Sequence, residues 1–367
     1  MPYLDFRMPE YPCERDMWDE LAHETRPIVV YGMGNGADKL ISRFEKYGIE
    51  ISDFFASDGF VRGHSFHGKR VKSFSEIKEE YPDFVIALSF ASNREEVLCM
   101  LSDIDEKYDM YIPDMPVAGE DEYFDREFFN SNYERLLRAY GSLADADSKN
   151  AFAATVNYKL TGRMKYLMGA YSDRTDIYRL LPCDTIENTV DAGAYNGDTV
   201  REAKEYFGGL KKVYALEPDK RNFKKLVKYS EAENDISVIT INAAAWREDA
   251  DGAFLGSGNR NSSVSSTASF EHRDETVPLL RIDRFCADRI DYIKYDVEGA
   301  EAEALAGCAE VILRDRPALL VSLYHRSRDL FAIVNDLAEK YPFYKIYLRR
   351  LKCVPAWELD LLLIPEK

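Results

Sequence analysis

The sequence predicts an α/β chain made of two Rossmann-like parallel-sheet units, a small one and a larger one, joined by a helical stretch. Three observations predict it. Short apolar runs alternate with segments of helical periodicity. Two of these runs end in glycine corners, "VVYGMGNGADKL" and "TVDAGAYNGDT". At 367 residues, with 46% hydrophobic, the chain has length and apolar content for two cores.

The elements follow in order. Residues 1–25 form a lead-in with acids and prolines where the apolar core of a signal peptide would stand. Residues 26–115 read as the small unit, with strands at 28–31 and 51–56, a third in "FVIALSF", and a helix over 37–46. Its corner has Gly32 and Gly34 with Ala37 in the third place, a variant that the dinucleotide-binding fingerprint tolerates. A nucleotide phosphate could rest on 32–36, with Asp53 as the ribose acid near the second strand's end. The unit is short for a complete dehydrogenase and no Tyr-x-x-x-Lys follows, which favours scaffolding or substrate presentation. Residues 116–184 repeat aromatic and leucine positions at spacings of three and four, a helical connector that would also roof the second unit.

The larger unit, 185–367, has strands expected at 189–192, 212–216, 237–241, 292–295, 318–323, 344–348 and 361–364. A Gly, Ser and Asn-rich insertion containing "GSGNRNSSVSS" precedes the fourth strand. It suits either hydrogen bonding to a polyhydroxylated ligand or a surface loop.

Composition excludes several classes. With 48 basic against 65 acidic residues, net charge −17, a nucleic-acid backbone is not the expected partner. No run of about 20 apolar residues predicts a membrane span. Cys13, Cys99, Cys183, Cys286, Cys308 and Cys353 are scattered without metal-ligand spacing, which suggests reduced thiols and a cytoplasmic location. A homo-oligomer remains open.

Ligands of open parallel sheets bind beyond the carboxyl ends of the strands. The first strand of the larger unit ends in Asp191, Gly193, Ala194, Tyr195, Gly197 and Asp198. Glycines there admit a tight turn and a close ligand, and Asp198 suits a helix N-cap. Glu217, followed by Pro218, ends the second strand about 20 residues on, where one carboxylate can accept from two ribose hydroxyls. Asn242 and Ala243 end the third, and the Asn242 amide suits either an adenine edge or a turn cap. Lys294, Asp296 and Glu298 share a strand face by the two-residue period. Their structural alternative is an ion pair. Glu301 suits the first turn of the next helix. His325 ends the fifth strand beside Asp296, and histidine is a natural base near neutral pH.

Together "TVDAGAYNGDT", "VYALEPDKRNFKKL", "INAAAW" and "DYIKYDVEGAEAEALAG" resemble the FkbM family of S-adenosylmethionine-dependent methyltransferases, over about residues 185 to 365. The resemblance implies a class I methyltransferase fold: a seven-stranded Rossmann-like sheet with its last strand antiparallel. It also implies methyl transfer, usually to a hydroxyl oxygen, and hence a sugar, glycan or other small natural product as acceptor. By it, Asp191, Gly193 and Gly197 cradle the cofactor, Glu217 holds the ribose, Asn242 and Ala243 lie beside the adenine, and Asp296 lies near the methyl donor. Asp296 or His325 would take the acceptor's proton, with Lys294 beside them. A metal-free reaction is expected, although Asp296, Glu298 and His325 could ligate Mg²⁺. Two alternatives compete: an NAD- or sugar-nucleotide-binding protein acting through the small unit, and a non-catalytic S-adenosylmethionine-binding module.

Overall fold

Buried β-branched and aromatic runs build the first sheet. In the computed structural model, which describes residues 4–61, 63–118, 122–255, 263–265 and 275–366, five parallel strands stand in the order β3-β2-β1-β4-β5. These are β1 (Ile28–Tyr31), β2 (Asp53–Ala56), β3 (Lys72–Ser73), β4 (Val85–Leu88) and β5 (Asp109–Tyr111). β1, β2 and β4 are buried at every position, as expected of parallel strands covered on both faces. Helix α1 (Asn35–Tyr47) leaves the glycine corner two residues earlier than its apolar spacing suggested.

The connector folds as helices, among them α2 (Arg126–Ser142), α3 (Ala146–Thr161) and α4 (Arg174–Leu180). α3 is buried almost all round. Its Phe152 and Val156 enter the core of the second sheet, while Tyr158 packs with Met110 and Val354 in the core of the first. A helix wedged between two cores needs no polar face. Asp114 and Lys159 form a buried ion pair at that junction.

The seven strands expected in the second unit all form, with shifts of one or two residues at their ends. They are β6 (Asn188–Ala192), β7 (Lys212–Leu216), β8 (Ser237–Ile241), β9 (Tyr292–Tyr295), β10 (Ala318–Ser322), β11 (Tyr344–Arg350) and β12 (Leu359–Pro365). Their order is β8-β7-β6-β9-β10-β12-β11. β12 runs antiparallel to both neighbours and the others are parallel. This is the class I methyltransferase sheet. α2, α3 and α8 (Asp329–Lys340) cover one face, through a core containing Leu136, Phe152, Ile293, Val321 and Phe331. α4, α5 (Asp198–Tyr206) and α6 (Lys220–Ala232) cover the other, through Ile177, Val200, Leu226 and Leu320. A short helix, α7 (Glu301–Ala306), follows β9.

The insertion before β9 contributes strands Ala244–Ala245, Ala250–Leu255, Ser263–Ser265 and Glu275–Leu280 of a small separate sheet. The hydroxyl-rich stretches 256–262 and 266–274 lie outside the described residues. No helix among the described residues is long and apolar enough to cross a membrane.

Candidate active site

The carboxyl ends of β6, β7, β9 and β10 frame a cavity of about 250 Å³. β6 ends at Ala192, and Gly193 then adopts φ +94°. A Cβ at Gly193 would stand 1.9 Å from the Asp296 carbonyl oxygen, so only glycine lets this turn lie against the turn after β9. Tyr195, at φ +47°, carries the corner on. Its N–H donates to Glu217 Oε2 at 2.8 Å, and the Asp219 N–H donates to Oε1 at 2.8 Å. The Glu217 carboxyl, only 6% exposed, thus fixes the corner to the end of β7. Burial pushes its pKa up to about 8, against those two N–H bonds. Asp219 caps α6 by accepting from the N–H groups of Arg221 and Asn222.

Two expectations, for Asp198 and Asp53, need correction here, and a third residue takes one of the two roles open to it. Asp198 is not the cap of α5: Gly197, at φ +83°, holds that position, and Asp198 is the first helical residue, accepting from the Thr199 N–H. It still lines the cavity. Of the two roles open to the Asn242 amide, the turn brace is the one seen: Nδ2 donates to the Glu217 and Pro218 carbonyls, at 2.8 and 3.1 Å. Ala243 and Pro218 do line the cavity. Asp53 opens β2 instead of closing it, and its carboxylate is held by Lys72 Nζ at 2.6 Å and the Tyr81 hydroxyl. A ribose acid would have to stand at the strand's other end.

Across the sheet, Asp191 and Lys294 are register partners on neighbouring strands. Thr199 Oγ1 donates to Asp191 Oδ2, and Lys294 Nζ lies 3.9 Å from Oδ1 and 3.2 Å from Asp296 Oδ2. Burial disfavours the lysine's charge, yet Asp296 and Asp191 outweigh it and hold its pKa above the usual range. Burial likewise acts against the Asp296 carboxylate, but Lys294 and His325 hold its pKa well below the usual range. Asp296 also accepts from the Tyr324 hydroxyl at 3.1 Å. β9 stops at Tyr295, so Glu298 lies beyond the strand, in a left-handed turn at φ +55°. The expected shared strand face therefore holds for Lys294 and Asp296 only as far as their pairing, and Glu298 reaches the cavity from the turn.

His325 is fully buried, and the cavity wall does not include it. Its Nδ1 lies 2.9 Å from Glu301 Oε1, and its Nε2 lies 3.4 Å from Glu298 Oε2 and 3.7 Å from Asp296 Oδ1. Burial opposes its charge, but these carboxylates raise its pKa well above the ordinary value. Sealed behind the wall, His325 is not placed to meet an acceptor directly, unlike the base expected at this position. Glu301 also accepts from the Val297 and Gly299 N–H groups, at 3.0 and 3.4 Å, clamping the turn from the first position of α7. Among the described residues, no group of three or more His, Cys, Asp and Glu is placed to hold a metal ion.

Sequence reasoning missed the far wall. Arg174 at the start of α4, Glu202 on α5, and Glu358 and Asp360 at the start of β12 line the same cavity. Arg174 Nε lies 3.1 Å from Glu202 Oε1, while Nη2 and Nη1 lie 4.0 Å from Glu358 and Asp360. Burial lifts the Asp360 pKa to about 7. An acid-rich "WELDLLL" entering an edge-adjacent strand was the available signal. The chain after the first unit also reaches the site: the Ala118 N–H donates to the His325 carbonyl at 2.9 Å. Ala118 Cβ lies where a Cβ on Gly299 would meet it at 2.6 Å.

Residues 191–343 match the family model of the methyltransferase FkbM domain. No curated protein matches the sequence. Among solved structures, the chain is similar to methyltransferase FkbM from Methylobacillus flagellatus KT, at 20% identity and TM-score 0.69, over 98% of this chain and 94% of that one. The two-unit arrangement is therefore a fold already seen. A partial likeness, at 14% identity and TM-score 0.33, joins 50% of this chain to 69% of Aeropyrum pernix fibrillarin in complex with natively bound S-adenosyl-L-methionine.

Such a domain implies S-adenosylmethionine as cofactor, and the residues present fit it. The Gly193 corner leaves backbone open to a close ligand. Asp191 Oδ1 is buried without a hydrogen-bond partner, an acceptor suited to the amino-acid end. Glu217 suits the ribose hydroxyls. Eight carboxyl groups against Arg174 and Lys294 among the described lining residues make an acid-rich wall that suits a cationic ligand. Residues 191–343 of this chain thus match the methyltransferase FkbM domain, within a sheet of class I methyltransferase topology.

Proposed function

We propose that the protein transfers a methyl group from S-adenosylmethionine to a hydroxyl of a sugar, glycan or other small natural product, without a metal. The observation that carries the reading is the Gly193 corner, pressed against Asp296 and tied to the Glu217 carboxylate within one cavity. The cofactor supplies an electrophilic methyl on a sulfonium. The chain's residues supply position: Asp191, Glu217 and the corner backbone hold the ligand's two ends, and the Asp296–Lys294 pair keeps a fixed charge beside the cavity. The acid-rich lining favours neutral or basic acceptors over phosphorylated ones.

Calorimetric titration with S-adenosylmethionine tests the cofactor, and mass spectrometry of candidate acceptors incubated with methyl-labelled donor tests the transfer. Absence of binding heat overturns the reading. Label found only on nitrogen or carbon of the product overturns the hydroxyl part of it. A cytoplasmic location belongs to the same proposal, and fractionation of cells expressing the chain checks it.

A further inference from the structure

Around the turn after β9 stand four groups that could handle a proton, and three of them are spoken for. Asp296 is committed to Lys294 and the Tyr324 hydroxyl, at 3.2 and 3.1 Å, and is a weak base. Tyr324 uses its O–H on that carboxylate. His325 is sealed behind the wall, against the carboxylates of Glu301, Glu298 and Asp296. Glu298 differs from all three. Like Asp296 and Tyr324 it lines the cavity, but among the described residues its one close charged partner is His325 Nε2 at 3.4 Å.

Its backbone adds an independent reason. Glu298 takes φ +55°, a left-handed conformation that costs a non-glycine residue about 1 kcal/mol or more. Strain of this kind persists only where the surroundings enforce it. Here Glu301 accepts from the N–H groups on either side of Glu298, those of Val297 and Gly299, and its other contact is His325 Nδ1. The Arg326 side chain donates to the Gly299 carbonyl at 2.8 Å. The turn is pinned so that a carboxylate, not a glycine, projects into the cavity.

Resting on the methyl-transfer reading above, we propose that Glu298 is the catalytic base that takes the acceptor's proton, and that His325, clamped by Glu301, is the positioning residue that holds its carboxylate. The acceptor oxygen forms the new bond to the methyl carbon, and the electron pair of the breaking carbon–sulfur bond stays on sulfur. The O–H bond breaks, its pair remaining on oxygen, and the proton passes to Glu298, which later releases it to water. Burial raises the Glu298 pKa and His325 opposes the rise, so the carboxyl is a stronger base than an exposed glutamate. The groups facing this pair are Asp296 and Tyr324 on the strand ends, Glu301 on α7, Arg326, and Asp329 on α8, whose buried carboxyl is lifted to about 7.

The test uses the full chain in wild-type, Glu298→Gln, Glu298→Asp and His325→Gln forms. The first measurement needs no acceptor: carbon-13 NMR of side-chain-labelled glutamate, with Glu298 assigned by its absence in Glu298→Gln. Glu298 should titrate above 4.5 in the wild type, and about tenfold weaker as an acid in His325→Gln, because a stabilising cation has gone. A Glu298 that titrates at or below 4.5, or that His325→Gln leaves unmoved, overturns the proposal. The second measurement follows demethylated donor formed with methanol, glycerol and methyl glucoside as surrogate acceptors. Glu298→Gln should lose about 10²–10⁴-fold, Glu298→Asp should recover part of it, and calorimetry should show unchanged donor affinity. Turnover of Glu298→Gln at the wild-type rate overturns the base assignment. Donor bound but no transfer to any alcohol by the wild type overturns it together with the hydroxyl reading. Donor that does not bind overturns the cofactor reading instead, and the NMR result then stands apart from it.

Discussion

Cofactor affinity should fall steeply in mild acid, and one carboxyl should be the cause. Glu217 is buried at the end of β7, and burial raises its pKa to about 8 from the ordinary 4.5. To accept hydrogen bonds from two ribose hydroxyls it must be ionised. If the carboxylate form alone binds, half the sites are competent at pH 8 and about one in a hundred at pH 6, so Kd should rise ~50-fold, about 2.3 kcal/mol. At pH 7 binding should release ~0.9 proton, read from the dependence of the heat on buffer ionisation enthalpy. The unliganded protein should show the opposite slope. A raised carboxyl contributes stability that is complete below 4.5 and is lost as pH rises through about 8. Calorimetry at pH 6, 7 and 8 on wild type and Glu217→Gln separates this carboxyl from the donor's own ammonium, which titrates in both. A Kd constant within threefold, or an equal slope in both proteins, refutes the reasoning.

Other predictions are smaller. Gly193→Ala drives a Cβ to 1.9 Å from the Asp296 carbonyl at a left-handed φ, and should cost ~2–4 kcal/mol in urea unfolding and weaken donor binding at least tenfold. Gly208→Ala, where nothing lies within 4 Å, should change stability by no more than ~0.5 kcal/mol. Lys159→Ala strands Asp114 without its cation at the α3 junction and should lose ~3–5 kcal/mol by urea midpoint, most of it regained in Lys159→Met with Asp114→Leu. NADH should give no binding heat, because the Asp53 carboxylate is already held by Lys72 and Tyr81. Saturable heat abolished by Asp53→Asn would restore a nucleotide role for the small unit.

The sheet of the second unit was legible because its strands are short apolar runs that end on acids or glycines. Thr189 to Asp191 and Tyr292 to Asp296 announce both a strand and its carboxyl end. What local pattern does not carry is which carboxylate pairs with which cation. Asp198, Asn242 and Asp53 each sat at the right spacing. The deciding facts were a cap taken by Gly197, two carbonyls within reach of an amide, and a lysine 19 residues away in sequence. His325 fell where expected beside Asp296, yet its role turns on Glu301, whose place in the helix was foreseen and whose second contact was not. Arg174, Glu202, Glu358 and Asp360 come from three distant segments that only the folded sheet gathers.

The contact of Ala118 with Gly299 and with the carbonyl of His325 bears on how this molecule can be dissected. A fragment beginning at the start of α2 would keep every strand of the second sheet and the helices on both its faces, while losing the backbone that shields the turn presenting Glu298. Such a fragment should still capture its donor yet lack a finished acceptor wall. Exchanging the segment around Ala118 between relatives would then retune which molecules are modified, without altering the modification itself.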